Sequence, residues 1–299
     1  MNRVLLQKAQ SVIDARRQYA EKVAQDFLKT ALYDPDFAEL YKRQKELEIE
    51  LTRKEVYGEK VDYGVIDDIK RKQEFLLKEI GLNGTDLLPN YECRLCNDTG
   101  YVDGLACECL KREVNKELFA YSGFNTELHT FDEKHIDHPA FKLMKKWCET
   151  QNNKYIILIC GPTGTGKTYL TQCVADKLMK QNRIVLFTSA FNLHNSMLNY
   201  HINQTAGRDQ ILEPFLSAEV LIIDDLGSEP MLQNVTKEYL YLIISERLEN
   251  KLPTIITSNL YPDEILNHYS SRLSSRLTDK QNSILINLDG DDLRSRMYS

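Results

Sequence analysis

Four aliphatic residues and a cysteine, Ile156-Ile157-Leu158-Ile159-Cys160, run without a spacer into Gly161, Pro162, Thr163, Gly164, Thr165, Gly166, Lys167 and Thr168. An apolar run of this length reads as a strand buried on both faces, the kind a parallel sheet requires. The G-x-x-x-x-G-K-S/T pattern after it is a phosphate loop. Its glycines let successive backbone N–H groups turn inward around phosphate oxygens, and the next helix aims the positive end of its dipole at the same charge. Residues Thr168 to about Met179 supply that helix, with Leu170, Val174 and Leu178 at helical spacing. Lys167 then reaches the outer phosphates and Thr168 offers an oxygen to magnesium. A strand, loop and helix in this order constrain the chain to an α/β fold that binds a nucleoside triphosphate.

A second apolar run, Val220-Leu221-Ile222-Ile223, ends in Asp224-Asp225-Leu226-Gly227. In a parallel sheet the C-terminal tip of such a strand faces the ligand. Asp224 is placed to hold magnesium through water, because this small hard cation keeps several waters and takes few carboxylates. Asp225 is the candidate for polarising the attacking water, which makes hydrolysis the leading reading. The run from Leu252 to Asn259 is apolar and β-branched and closes on an amide able to orient water or the terminal phosphate. Arg272 and Arg276, four residues apart, share one helical face. Such a pair is either a solvated face or a source of guanidinium for phosphoryl-transfer charge in a neighbouring subunit.

Taken in order, the Gly161–Thr168 loop, Ile222 to Gly227, Pro253 to Asn259, the Arg272/Arg276 helix and Leu293-Arg294-Ser295-Arg296 resemble bacterial replicative helicase loaders of the DnaC/DnaI type. These are AAA+ ATPases, and the IstB-like transposition ATPases are their relatives. The likeness covers roughly residues 120 to 299. It implies a P-loop AAA+ domain over 117–299, with a parallel sheet and helices on both faces, preceded by a small, mainly helical N-terminal domain over 1–116. It also implies ATP as the nucleotide and Asn259 as the sensor on the strand beside the magnesium-binding one. Arg276 is implied as the arginine finger that completes a neighbour's site, with Arg272 near it, and Arg294 as the second sensor on its own subunit's nucleotide. The wider superfamily commonly has glutamate where this chain has Asp225; the shorter acid agrees with the loader pattern and suggests slow turnover.

Cys93, Cys96, Cys107 and Cys109 form two close pairs across a Gly-containing hairpin, within about residues 90–112. Four thiolates at this reach suit structural zinc, and the absence of a signal-peptide core favours metal over disulfides. Four Cys ligands would close the coordination shell, so the expected role is scaffolding; a redox-active pair or unmetallated thiols are the alternatives. The Cys107-Glu108-Cys109 spacing is tighter than the usual two-residue knuckle. His129, His135 and His138 read as surface or linker residues, and Cys148, Cys160 and Cys173 as ordinary semi-buried ones.

The chain has 299 residues, 42% hydrophobic and 27% charged, enough for two globular domains. No apolar run is long enough to span a bilayer, and a cytoplasmic location with no membrane partner is expected. A net charge of −6 is not that of a protein that coats duplex DNA, so nucleic-acid contact calls for a local patch or an assembled channel. Residues from about Leu5 to Leu51 read as helices with Val12, Ala15, Tyr19, Val23 and Phe27 at helical spacing and Pro35 near a boundary, and another helix runs from about Asp62 to Ile80. Phe124 and Phe131 are placed by position near the nucleotide base. Residues 187–200 are a DNA-contacting candidate by position, although Phe191, Leu193, Met197 and Leu198 read as core at helical spacing. The resemblance implies that the N-terminal module grips the hexameric replicative helicase, that copies self-associate through the ATPase domain, and that the helicase is deposited on single-stranded DNA. Alternatives are a transposition ATPase acting on duplex DNA, and an adaptor that uses ATP only as a conformational ligand.

Overall fold

The computed structural model describes residues 3–59, 61–122, 128–131, 138–150, 154–203 and 209–289. Two compact units emerge, Ser11–Leu105 on one hand and Met1–Gln10 with Ala106–Ser299 on the other.

Helices α1 (Arg3–Ala31), α2 (Pro35–Val56) and α3 (Gly64–Glu79) open the chain. The break between the first two is local chemistry. The Asp34 carboxylate accepts the Phe37 N–H at 2.9 Å, and Pro35 occupies the first helical position, where a missing N–H costs nothing. Ala31, Phe37 and Leu77 form a small core that Leu28, Tyr41, Leu76, Leu82 and Leu87 cover. The face expected of α1 is displaced by one residue. Ile13, Ala20, Ala24 and Ala31 are buried, whereas Val12, Tyr19 and Phe27 are exposed, because alanines let neighbouring chain approach closely while the larger side chains stay outside. A hairpin of β1 (Tyr101–Val102) and β2 (Leu105–Ala106) turns at Asp103 and Gly104, both at positive φ, 50° and 77°. That is the backbone a two-residue turn between right-twisted strands demands.

The remaining elements are α4 (Glu108–Ser122), α5 (Pro139–Thr150), β3 (Ile156–Cys160), α6 (Lys167–Lys180), β4 (Val185–Ser189), α7 (Ala190–Ile202), α8 (Asp209–Ser217), β5 (Val220–Leu226), a π-helical turn (Gln233–Lys237), α9 (Glu238–Glu249), β6 (Thr254–Ser258), α10 (Pro262–His268), α11 (Ser271–Thr278) and β7 (Ser283–Asn287). The expected domain boundary at 116/117 falls inside α4. This helix is fixed to the edge strand β4 by one side chain: Asn115 donates to the Arg183 carbonyl at 2.8 Å and accepts the Val185 N–H at 2.9 Å.

The five strands lie in the order β4-β5-β6-β3-β7, and every adjacent pair is parallel. Ile157, Ile159, Val185, Phe187, Val220, Ile222 and Ile255 share one core with α5 and α6, including Trp147, the chain's sole tryptophan, at 2% exposure. The intervening Ile156, Leu158, Leu186, Leu221, Ile223 and Ile256 are equally buried, so the sheet is covered on both faces, as expected of the fold class. Cys148, Cys160 and Cys173 are fully buried within it, deeper than expected. Phe191 departs from the core reading of its helix and is half-exposed, while Leu193 and Met197 are buried. Among the described residues no helix is long and apolar enough to cross a membrane.

Candidate nucleotide-binding site

Strand order brings the sequence motifs together. β6 lies between β3, which leads into the phosphate loop, and β5, which ends in the two acids, so Asn259 emerges between them. The loop itself needs its glycines. A Cβ on Gly161 would stand 2.3 Å from the Leu288 carbonyl oxygen, where the chain leaving β7 donates its Leu288 N–H to Cys160 O at 2.7 Å. Gly164 and Gly166 have φ of 86° and 92°, and Gly166 is the residue from which α6 starts. Thr165 Oγ1 closes the turn on the Pro162 carbonyl at 3.0 Å, and Thr163 is exposed at its tip.

Lys167 is buried, and its Nζ donates to the Gly161 and Pro162 carbonyls, both at 2.7 Å, and to Asn259 Oδ1 at 2.6 Å. Thr168 Oγ1 donates to Asp224 Oδ2 at 2.9 Å. Asn259 Nδ2 donates to Asp225 Oδ1 at 2.8 Å. The sequence-assigned Lys167, Asn259 and Asp225 are thus joined in one hydrogen-bonded set and Thr168 and Asp224 in another, between the start of α6 and the ends of β5 and β6.

How two consecutive strand residues both face one site is answered by the pairing of β5 with β6. Ile223 pairs with Ile256 and Leu226 with Ser258, so Asp224 and Asp225 together oppose the single residue Thr257. This is a β-bulge, which re-aims side chains at a strand end. Asp225 takes φ +61°, a left-handed conformation uncommon outside glycine. Thr257 holds the bulge from both sides: its Oγ1 donates to Asp224 Oδ1 at 2.7 Å and accepts the Asp225 N–H at 2.8 Å. Sequence reasoning passed over Thr257. The available signal was a hydroxyl near the end of an otherwise apolar, fully buried strand. Burial pushes the Asp224 carboxyl above the usual range, opposed by the Thr257 and Thr168 hydroxyls and reinforced by Asp225. A buried carboxylate beside a threonine hydroxyl is a hard-oxygen donor set, and it fits Mg2+.

Arg272 and Arg276 lie on α11, whose Leu273 and Leu277 are buried. Arg272 is exposed and Arg276 half-buried. The nearby Ser245 hydroxyl and then Arg276 hold the Tyr241 phenol below its ordinary value, which places Arg276 beside α9. Among the described residues, neither arginine enters the hydrogen-bonded set around Lys167. Arg294, Phe124 and His135 lie outside the described residues, and Phe131 packs edge-on against Phe141 at 6.5 Å between ring centroids. His129 stacks on Tyr169, the residue after Thr168, at 4.2 Å.

Cys93, Cys96, Cys107 and Cys109 come together as well. Their sulfur atoms all lie within 4.8 Å of one another and all four residues are buried. Tetrahedral zinc with Zn–S bonds of about 2.3 Å needs sulfurs about 3.8 Å apart, so donor type, number and reach all fit the metal. Asp98, wholly buried, accepts the Glu92 and Cys93 N–H groups at 2.8 and 2.9 Å and pairs with Arg16 at 2.8 Å. The narrow Cys107–Cys109 spacing is the first turn of α4, where Cys107 O accepts the Lys111 N–H at 3.1 Å.

Residues 125–294, over half of the chain, match the family described as IstB-like ATP binding protein. The chain belongs to this family. It is 30% identical over 212 residues to the replicative helicase loader DnaI of Bacillus subtilis (strain 168), spanning 63% of this chain and 65% of that protein. It is 24% identical over 149 residues to the replicative helicase loader DnaC of Escherichia coli (strain K12), spanning 50% and 60%. To the putative insertion sequence ATP-binding protein y4pL of Sinorhizobium fredii (strain NBRC 101917 / NGR234) it is 30% identical over 170 residues, spanning 54% and 65%. The chain therefore covers less than two thirds of each of these relatives. For an IstB-like ATP binding protein, the Gly161–Thr168 loop is the part of the chain whose motif fits the nucleotide.

Proposed function

We propose that this protein is an ATP-hydrolysing loader of the replicative DNA helicase. In this reading its N-terminal module, with the cysteine cluster, binds the hexameric helicase, and copies of the ATPase unit associate and assist its deposition on single-stranded DNA during replication initiation or restart. The work is cytoplasmic. The observation that carries the reading is the coexistence in one chain of the hydrogen-bonded Lys167–Asn259–Asp225 and Thr168–Asp224 sets with a separate helical unit. That unit exposes Tyr33, Ile49, Val56, Tyr57 and Phe75, apolar surface suited to a protein partner. Kinship with proteins named as helicase loaders supports the same choice.

In mechanism, Lys167 exchanges the Gly161 and Pro162 carbonyls for outer phosphate oxygens. Thr168 and Asp224 would hold Mg2+, which supplies charge neutralisation at those phosphates when bound. Asn259, released by Lys167, orients the terminal phosphate and keeps Asp225 turned toward the attacking water. Arg276 completes the site of an adjacent copy and Arg294 acts on its own, so turnover depends on assembly. The cysteines would hold zinc as a scaffold.

The test joins two measurements on the full chain. Turnover per chain should rise with protein concentration and vanish in Arg276→Ala while ATP binding persists. Immobilised chain should retain replicative helicase, and lose it when a chelator strips the metal. Concentration-independent turnover, or no helicase capture by the metal-loaded chain, would sink the reading. The relation to y4pL favours a second one, a transposition ATPase, which predicts retention of duplex DNA and a transposase instead of helicase. The adaptor alternative predicts that Asp225→Asn leaves helicase loading intact.

A further inference from the structure

We propose that Glu229 and Tyr269 form a positioning pair that ties the Asp225 loop to the helix carrying Arg276, so that the state of a subunit's own site sets the arginine it offers its neighbour. This inference rests on the reading of Arg276 as a residue that completes an adjacent site.

The connection begins at the bulge. Asn259, bonded to Lys167 on one side, holds the Asp225 carboxylate on the other. From Asp225 the chain turns tightly: the Ser228 Oγ donates to Asp225 O at 2.8 Å, and Ser258 Oγ donates to Leu226 O at 2.6 Å. Gly227 then takes φ +103° with Leu260 packed so closely that a Cβ would lie 2.7 Å from its Cδ1. The next acid, Glu229, is 6% exposed and divides its oxygens. Oε2 accepts the Gly227 N–H at 2.9 Å, and Oε1 accepts the hydroxyl of Tyr269, itself 3% exposed. Tyr269 directly precedes Ser270, whose Oγ accepts the Leu273 N–H at 3.2 Å and starts α11. Arg272 and Arg276 are on that helix.

A buried carboxylate is a poor way to gain stability, since a well-packed apolar pair of similar size does as well or better. What the pair supplies is direction. One oxygen fixes the loop from within, the other fixes the residue at the base of α11, and this second contact is lost if the two elements slip. Burial first, and Glu229 next, push the Tyr269 phenol well above its ordinary value, so it stays a donor.

The test uses full-length chains in mixtures. An Asp225→Asn chain, which still takes up ATP but lacks the carboxylate assigned to the attacking water, supplies Arg276; an Arg276→Ala chain supplies an intact site, and together they should recover turnover. Adding Tyr269→Phe to the Asp225→Asn chain should cut the recovered turnover about tenfold, the scale of one lost buried hydrogen bond. ATP affinity of Tyr269→Phe alone should stay within about twofold of the parent, which a general folding defect would not allow. Glu229→Gln should behave alike if it folds, and the double change should be no worse than either single one. Undiminished recovery with the Tyr269→Phe donor, or additive losses, would overturn the pair. A parental mixture with no turnover would overturn the reading of Arg276 beneath it.

Discussion

Two buried cations sit at opposite ends of one parallel sheet and differ in how they are held. Arg247, on α9, is fully buried near the N-terminal ends of β5 and β6. Its guanidinium donates to the carbonyls of Phe215 (2.9 Å), Leu216 (3.3 Å), Ala218 (2.9 Å) and Pro253 (2.7 Å) and to Thr254 Oγ1 (2.9 Å). Burial pushes its pKa down, yet each of these five partners is an acceptor that keeps it cationic. Lys167, at the C-terminal end, is held by two carbonyls of a glycine-rich turn and by one amide. A planar fork filled by five acceptors has one arrangement; an ammonium on a flexible stem can trade its three. The difference teaches that a buried charge marks a site only where its partners can be exchanged.

Changing the two cations puts this contrast at risk, and the largest effect is expected from Arg247→Met. It should lower the unfolding free energy by about 3–5 kcal/mol in a urea titration, because several carbonyls lose their donor at once. Lys167→Ala should weaken ATP binding about a hundredfold or more by calorimetry while shifting stability by less than about 1 kcal/mol. Comparable stability losses in the two variants would end the distinction. Thr257→Val sharpens it within the site: with the Asp224 acceptor and the Asp225 N–H both left unmade, stability should fall by about 1–2 kcal/mol and turnover with it. A modest gain in stability, rather than a loss, is expected from Asp224→Asn. The folded-state pKa of Asp224 is raised, so its ionisation costs stability as pH rises from the ordinary carboxylate value through the raised one. Asp224→Asn should remove that decline and raise stability near neutral pH while abolishing Mg2+-dependent turnover. Melting curves between acid and neutral pH decide the sign.

Much of the site could be read in advance because its groups are contiguous. The strand into Gly161–Thr168, the acids after Ile223 and the amide after Ser258 each combine an element and its chemistry in one short window. The cysteine cluster is legible for the same reason. What escaped reading depends on register between distant segments. Thr257 matters because β5 bulges opposite it. Arg247 sits in Ser245-Glu246-Arg247-Leu248-Glu249, which reads as a solvated helical face until its contacts with the chain before β5 and at the start of β6 are seen. Glu229 and Tyr269 are forty positions apart, and no periodicity joins them. The buried face of α1 lies one residue from the face that side-chain bulk suggests, because alanine packing decides it.

Trp147, sealed among Met144, Leu170 and Val174 in the core beside the phosphate-loop helix, has an optical consequence. As the chain's single indole, it confines intrinsic tryptophan emission to that half of the polypeptide. Red-shifted fluorescence would report melting of the nucleotide-holding half alone, and far-ultraviolet dichroism would add the helical remainder. Divergence of the two traces would reveal a folding intermediate without any engineered label.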